Sequence, residues 1–116
     1  MYAMAWGTVE LEPEVEEWLL PLSLADFGHV AFYIDLLAER GPLLDEPYTH
    51  QLGGKLRELR FYLGRERRRI SYYLATDQRA VLLTVFGKQQ ARERAEIERA
   101  RRVMDRCVRE GHSAEE

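Results

Sequence analysis

The sequence predicts an α+β fold: an N-terminal strand and a helical hairpin packed on an antiparallel sheet of about four strands, followed by a C-terminal helix. Three observations carry this. Apolar residues recur at helical spacing between residues 13 and 40 and stop at Gly41–Pro42. After residue 55 the period changes to short runs rich in branched and aromatic residues, separated by polar turns. Residues 89–110 are charged, with one weak apolar stripe, as in a surface helix. At 116 residues, 46% hydrophobic and 32% charged, the chain has room for one core rather than two. A single domain is expected over 1–116, with its core at 6–104 and a frayed tail at 111–116.

Each element has a local reason. Residues 6–11, WGTVEL, alternate as a short strand. Pro13 suits a first helical turn, and Glu14, Glu16 and Glu17 suit its positive end. Val15, Trp18, Leu19 and Leu22 give an apolar stripe that Pro21 ends or kinks. Ser23 opens a second helix, with Asp26 in the capping-box position. Phe27, Val30 or Ala31, Ile34 and Leu37 form its stripe. Residues 41–54, GPLLDEPYTHQLGG, read as a long loop. Leu56–Phe61, Arg67–Thr76 and Arg79–Gly87 then read as a three-stranded meander, turning at 64–66 and at Asp77–Gln78. The last strand is almost continuously apolar, so it should be central and buried on both faces. Ile97, Ala100, Met104 and Cys107 or Val108 mark one face of the final helix. Phe27, Ile34, Leu59, Ile70, Leu82 and Val85 should be buried, with Trp18 on the packed side of the hairpin.

No apolar run approaches the ~18 residues of a membrane span, and the first ten residues lack the basic start of a secretory signal. A cytoplasmic protein with no membrane partner is expected. One cysteine, Cys107, excludes an internal disulfide and a CxxC metal site. His29, His50 and His112 lie far apart in sequence, so no metal-ligand pattern is present and no metal is assigned. His50 stands out because it lies just before the basic strands.

The charge is segregated. Residues 1–54 carry a net −9, and residues 55–69 carry +5 through Lys55, Arg57, Arg60, Arg65, Arg67, Arg68 and Arg69. Such a block reads as one anion-binding face or as a solvated arginine-rich hairpin. Strand alternation puts Leu56, Glu58 and Arg60 on one face, and Arg57, Leu59 and Phe61 on the other. It likewise groups Arg69, Ser71 and Tyr73 against Ile70, Tyr72 and Leu74. With the hairpin over one face, the other would present arginines and a tyrosine, an RNA platform in which guanidinium binds phosphate and rings stack on bases. Lys88, at the exit of the last strand, would aim a further cation at the same place.

The residues L-R-E-L-R at 56–60, R-R-I at 68–70, L-L-x-x-F-x-K at 82–88 and E-I-E-R-A at 96–100 resemble the RelE/HigB toxin superfamily, in particular its phage-derived HigB-like branch. So does V-x-L-x-P-E-V-E-E-W-L at 9–19. The resemblance runs from residue 6 to about residue 104. It implies a RelE-like fold and the toxin of a type II toxin–antitoxin pair. Such a toxin is a ribosome-dependent, metal-independent mRNA endoribonuclease (an mRNA interferase) that needs no cofactor and inhibits translation. The resemblance also implies a cognate antitoxin partner, of helix-turn-helix type. Carried over motif by motif, Arg60, Arg69 and Lys88 match the family's basic positions, with Tyr73 and His50 as further catalytic candidates. Lys55, Arg57, Arg67 and Arg68 would bind RNA. Phe86 departs from the pattern because it cannot transfer a proton. The general base therefore lies among His50, Tyr72, Tyr73 and Lys88.

Two other classes of function fit the same residues. One is a toxin of this fold that acts by protein binding, as gyrase poisons do. The other is a non-catalytic interaction protein whose arginines are tied up in salt bridges. A basic pocket free of acidic partners would separate the enzyme from the last of these.

Overall fold

The computed structural model describes residues 5–87 and 93–111. In chain order these form β1 (Thr8–Leu11), α1 (Pro13–Leu19), α2 (Leu24–Arg40), β2 (Thr49–Gly53), β3 (Leu56–Leu63), β4 (Glu66–Ala75), β5 (Arg79–Val85) and α3 (Glu93–Arg109). Lys88, the first residues of the expected final helix (89–92), His112 and the rest of the tail lie outside the described residues.

The local signals act as the sequence suggests. The Ser23 side chain accepts the Asp26 amide at 3.1 Å and caps α2. Gly41 ends α2 at φ +52°, and a Cβ there would lie 2.2 Å from the Trp6 indole. Backbone freedom and close approach therefore both demand glycine. Asp77 and Gln78 turn β4 into β5 with φ of 66° and 55°, the pair of positive values that a type I′ hairpin turn requires.

The sheet has five strands in the order β1-β5-β4-β3-β2. This corrects the expected count of about four. Strand β2 lies inside the segment read as a loop, and β1 joins β5 in parallel rather than antiparallel. Thr49–Gly53 becomes a strand because Gly54 and Lys55 turn it back onto β3, with Thr49 opposite Leu59 and His50 opposite Glu58. β5 is an interior strand between β1 and β4, while β4 holds the centre, and Ala80 to Thr84 are all buried, as expected.

Helices cover both faces. On one, Val15 and Leu19 of α1 and Val30 and Leu37 of α2 pack with Leu59, Phe61, Ile70, Tyr72, Ala80 and Leu82. Trp18, Ile34 and Val85 are partly buried against this core. Phe27 is 40% exposed, against expectation, because the buried stripe of α2 starts one turn later, at Val30. On the other face Ala100, Met104 and Cys107 of α3 pack on Leu56, Tyr73, Val81, Leu83 and Phe86. The face expected to be open is therefore covered along much of its length.

Where α3 begins, its position is set by charge. Arg99 forms ion pairs with Glu14 of α1 and Glu96, and donates to the Val85 carbonyl at 3.2 Å. Glu14 also accepts the Val85 amide at 2.9 Å. The exit of β5 is thus held between α1 and α3. No helix among the described residues is long and apolar enough to cross a membrane.

Candidate functional site

Antiparallel register decides which side chains meet. Arg60 on β3 lies directly opposite Arg69 on β4. Two like charges in that relation repel. The next row of the same face runs His50, Glu58, Ser71, Thr84 across β2, β3, β4 and β5. Glu58 resolves the repulsion. Its side chain is fully buried, and its two oxygens accept from Arg60 Nε and Arg69 Nε, each at 2.7 Å. Beside it the Ser71 and Thr84 hydroxyls, both buried, lie 2.6 Å apart.

Further carboxylates close the cluster at both ends. Glu93, the first residue of α3, accepts from Arg69 Nη1 and Nη2 at 2.9 and 3.2 Å, the two-pronged fork that a phosphate would also take. Glu46 approaches Arg60 at 3.6 Å and pairs with His50 Nδ1 at 2.8 Å. The Arg69 guanidinium also stacks 4.5 Å from the Phe86 ring centre. Burial works against the charge of Arg69, but Glu93 and Glu58 outweigh it and raise its pKa. The Arg69 hydrogen bond in turn lowers the pKa of Glu93.

The carboxylates fall into two kinds. Glu58 is completely buried, whereas Glu46 and Glu93 are 56% and 47% exposed. Exposed ion pairs contribute about 0–1 kcal/mol and exchange readily. A buried carboxylate between two cations is a fixed part of the frame. Glu58 therefore holds the guanidiniums in place, while the contacts of Glu46 and Glu93 can yield to another anion.

Among the expected site residues, the structure brings His50, Arg60 and Arg69 into one cluster. It does not bring Tyr73 there as a stacking platform. Tyr73 shares the face of Arg69, as alternation requires, but is 2% exposed beneath α3. Tyr72 is fully buried against the helical hairpin, and burial raises its phenol pKa. Both tyrosines are out of reach of a solvent-borne substrate. Lys88 lies outside the described residues. Of the four candidate bases, His50 is the described one that reaches the cluster with partial exposure.

The expected RNA-binding residues are spread over both ends of the basic hairpin. Lys55 is exposed in the β2–β3 turn. Arg57 donates to Gln51 Oε1 at 2.8 Å, Thr49 Oγ1 at 3.0 Å and the Tyr72 hydroxyl at 3.3 Å, which anchors β2 to β3. Arg68 pairs with Glu66 at 2.7 Å, and Arg67 is exposed. Sequence reasoning missed Glu46, Glu58 and Glu93 as site residues. Glu58 had a signal, as the one acid among the bases of β3, two residues before Arg60 on the same face. Among the described residues, no group of three or more His, Cys, Asp or Glu side chains is placed to hold a metal ion.

The architecture is that of RelE-type toxins. The structure of the E. coli toxin RelE, an arginine-to-alanine double mutant in the free state, aligns with a TM-score of 0.58 at 14% identity, covering 83% of this chain and 97% of that one. No curated protein matches the sequence. Residues 17–105 match the family described as Phage derived protein Gp49-like (DUF891). The chain belongs to this family, one of the RelE/HigB-like toxin families.

Proposed function

We propose that this protein is the toxin of a toxin–antitoxin pair, and that it inhibits growth by cleaving mRNA on the ribosome. A fold alone hosts many activities, so the reading rests on the site. The observation that carries it is the placement of His50, Arg60 and Arg69 around one buried carboxylate, Glu58. Cleavage by attack of a 2′-hydroxyl on the adjacent phosphate asks for three things. A base takes the hydroxyl proton, fixed cations hold charge on the phosphorane oxygens, and an acid protonates the leaving 5′-oxygen. Arg60 and Arg69 are the cations. With Nδ1 turned to Glu46, His50 presents Nε2 to take the 2′-hydroxyl proton, and solvent water protonates the leaving 5′-oxygen. The products are a 2′,3′-cyclic phosphate and a 5′-hydroxyl. The cognate antitoxin, a helix-turn-helix protein encoded nearby, would restrain the toxin by covering this face.

One observation favours a second reading, that of a non-catalytic protein-binding module. Arg60 and Arg69 both already bind carboxylates, so the face is not a basic pocket free of acids. Induced expression with mapping of transcript ends decides between the two. Arg69→Ala removes a transition-state donor and should lower cleavage roughly 10²–10³-fold. Arg69→Lys should restore part of it, since lysine lacks the planar fork. His50→Gln and Lys88→Ala should each relieve growth arrest, while Arg92→Ala should do little. If folded Arg69→Ala and His50→Gln arrest growth as the parent does and no cut ends are found, the protein-binding reading replaces the enzyme.

A further inference from the structure

Beside the cluster lies a cleft that the proposed chemistry does not use. β2 pairs with β3 as far as Leu59, and the Arg60 amide donates once more to the Tyr48 carbonyl at 2.8 Å. Beyond this the edge of β3, where His29 Nε2 lies 2.8 Å from the Tyr62 carbonyl, faces a hollow of about 400 Å³. Tyr33, Pro47, Tyr48, Tyr62, Arg60 and Arg67 line it, with Phe61 beneath. Tyr33 is held rigidly, stacked on Phe61 at 5.4 Å and 16° and set edge-on to Phe32 at 5.1 Å. Tyr48 adjoins it at 6.2 Å. Tyr48 and Tyr62 are 37% and 59% exposed. None of the lining residues is acidic, in contrast to the neighbouring cluster.

Arg60 belongs to both places. It donates to Glu58 in the cluster and lines the cleft. Tyr62 follows two residues later on the same face of the strand, roughly 6.7 Å further along. That is about one step of an extended nucleotide chain. Aromatic rings beside guanidiniums fit a flat and electron-rich group that is tethered to an anion, and the phosphate would take the place of the exposed Glu46 at Arg60.

We infer that this cleft is a base-binding subsite: a single unpaired nucleobase stacks on Tyr48 and Tyr62 while its flanking phosphate lies at Arg60 and Arg69. The inference rests on the nuclease reading and names the part of the substrate that this reading leaves free. It also replaces the stacking role expected of Tyr73 with tyrosines that solvent can reach.

A 2′-O-methyl RNA oligonucleotide, which cannot be cut at the 2′-position, is the probe. It is offered free and as the message of a programmed ribosome, and binding to the full chain is read by fluorescence anisotropy. Tyr62→Ala and Tyr48→Ala should each weaken binding about 5- to 140-fold. Tyr62→Phe, which keeps the ring, should stay within about twofold. Scanning one abasic site along the oligonucleotide should find one position where the parent loses affinity and Tyr62→Ala loses no more. Thermal melts confirm that the variants fold.

If Arg69→Ala weakens binding and the tyrosine variants do not, the subsite is wrong and the nuclease reading stands. If neither set changes binding in either format, both fail. If the tyrosine variants lose the antitoxin but keep RNA, the cleft docks protein and the inference is overturned.

Discussion

Replacing Glu58 with glutamine tests whether the buried carboxylate holds the site together. Glu58→Gln keeps the volume and removes the charge. One oxygen becomes an NH₂ group facing an arginine N–H, so one of the two 2.7 Å bonds is lost to donor–donor contact. The other falls from a charge-assisted bond to an ordinary one. Removing one partner of a fully buried pair costs about 3–5 kcal/mol. The full figure does not apply, because the Arg60 and Arg69 side chains keep 22% and 15% exposure and retain Glu46 and Glu93. About 2–4 kcal/mol is the expected loss, and near 4 °C per kcal/mol the melting temperature should fall by roughly 8–16 °C. The assay is a thermal melt of purified protein, extended to a double-mutant cycle with Arg69→Gln. The two changes should be strongly non-additive, since each removes the same bond. A melting temperature within about 2 °C of the parent, or additive losses, would refute the clamp. Glu58 would then be a bystander, and the fixed spacing of the guanidiniums would need another cause.

The exposed carboxylate should behave in the opposite way. Glu93→Gln removes the charge that forks onto Arg69, so inorganic phosphate or RNA should bind several-fold more tightly with little change in stability; weaker binding would make Glu93 part of the site rather than a competitor for it. Cys107 is fully buried, and burial pushes its thiol up to about 12. Its raised folded-state pKa stabilises the fold below the unfolded-thiol pKa, near 8.5, and that contribution is lost as pH rises from there towards 12. Cys107→Ala should therefore flatten the alkaline decline in stability seen by denaturant titration, and an unchanged slope between pH 8.5 and 11 would contradict the assignment. The same burial predicts that iodoacetamide leaves the folded thiol unmodified and reacts once denaturant is added.

Helix α2 was legible because its signals are local: Ser23 caps it, Gly41 stops it, and the stripe at Val30, Ile34 and Leu37 repeats at the helical period. Strand β2 was not, because in Thr-His-Gln-Leu-Gly a single β-branched residue is offset by glycine and the strand signal is weak. Its partner makes it one, through the turn at Gly54 and Lys55. The destination of α3 was hidden for a related reason. Ala100, Met104 and Cys107 announce a buried face without saying against what, and so Tyr73 was placed on an open surface that α3 in fact covers.

The site divides along the same line. Alternation alone puts Glu58 with Arg60, and Arg69 with Ser71, but a period of two names a face and not a neighbour. Register names the neighbour. Setting Arg60 opposite Arg69 turns an unremarked glutamate into the residue that makes the pair tolerable. It also carries His50 from a supposed loop into the row of Glu58. The apolar contacts of α3 begin at Ile97, so its first turn leaves this end of the sheet to charge, and Glu93 reaches down to Arg69 there. The cluster thus lies where the second helical layer stops sealing the sheet. A polar row can persist there beside solvent, and an incoming anion meets two guanidiniums already fixed in place.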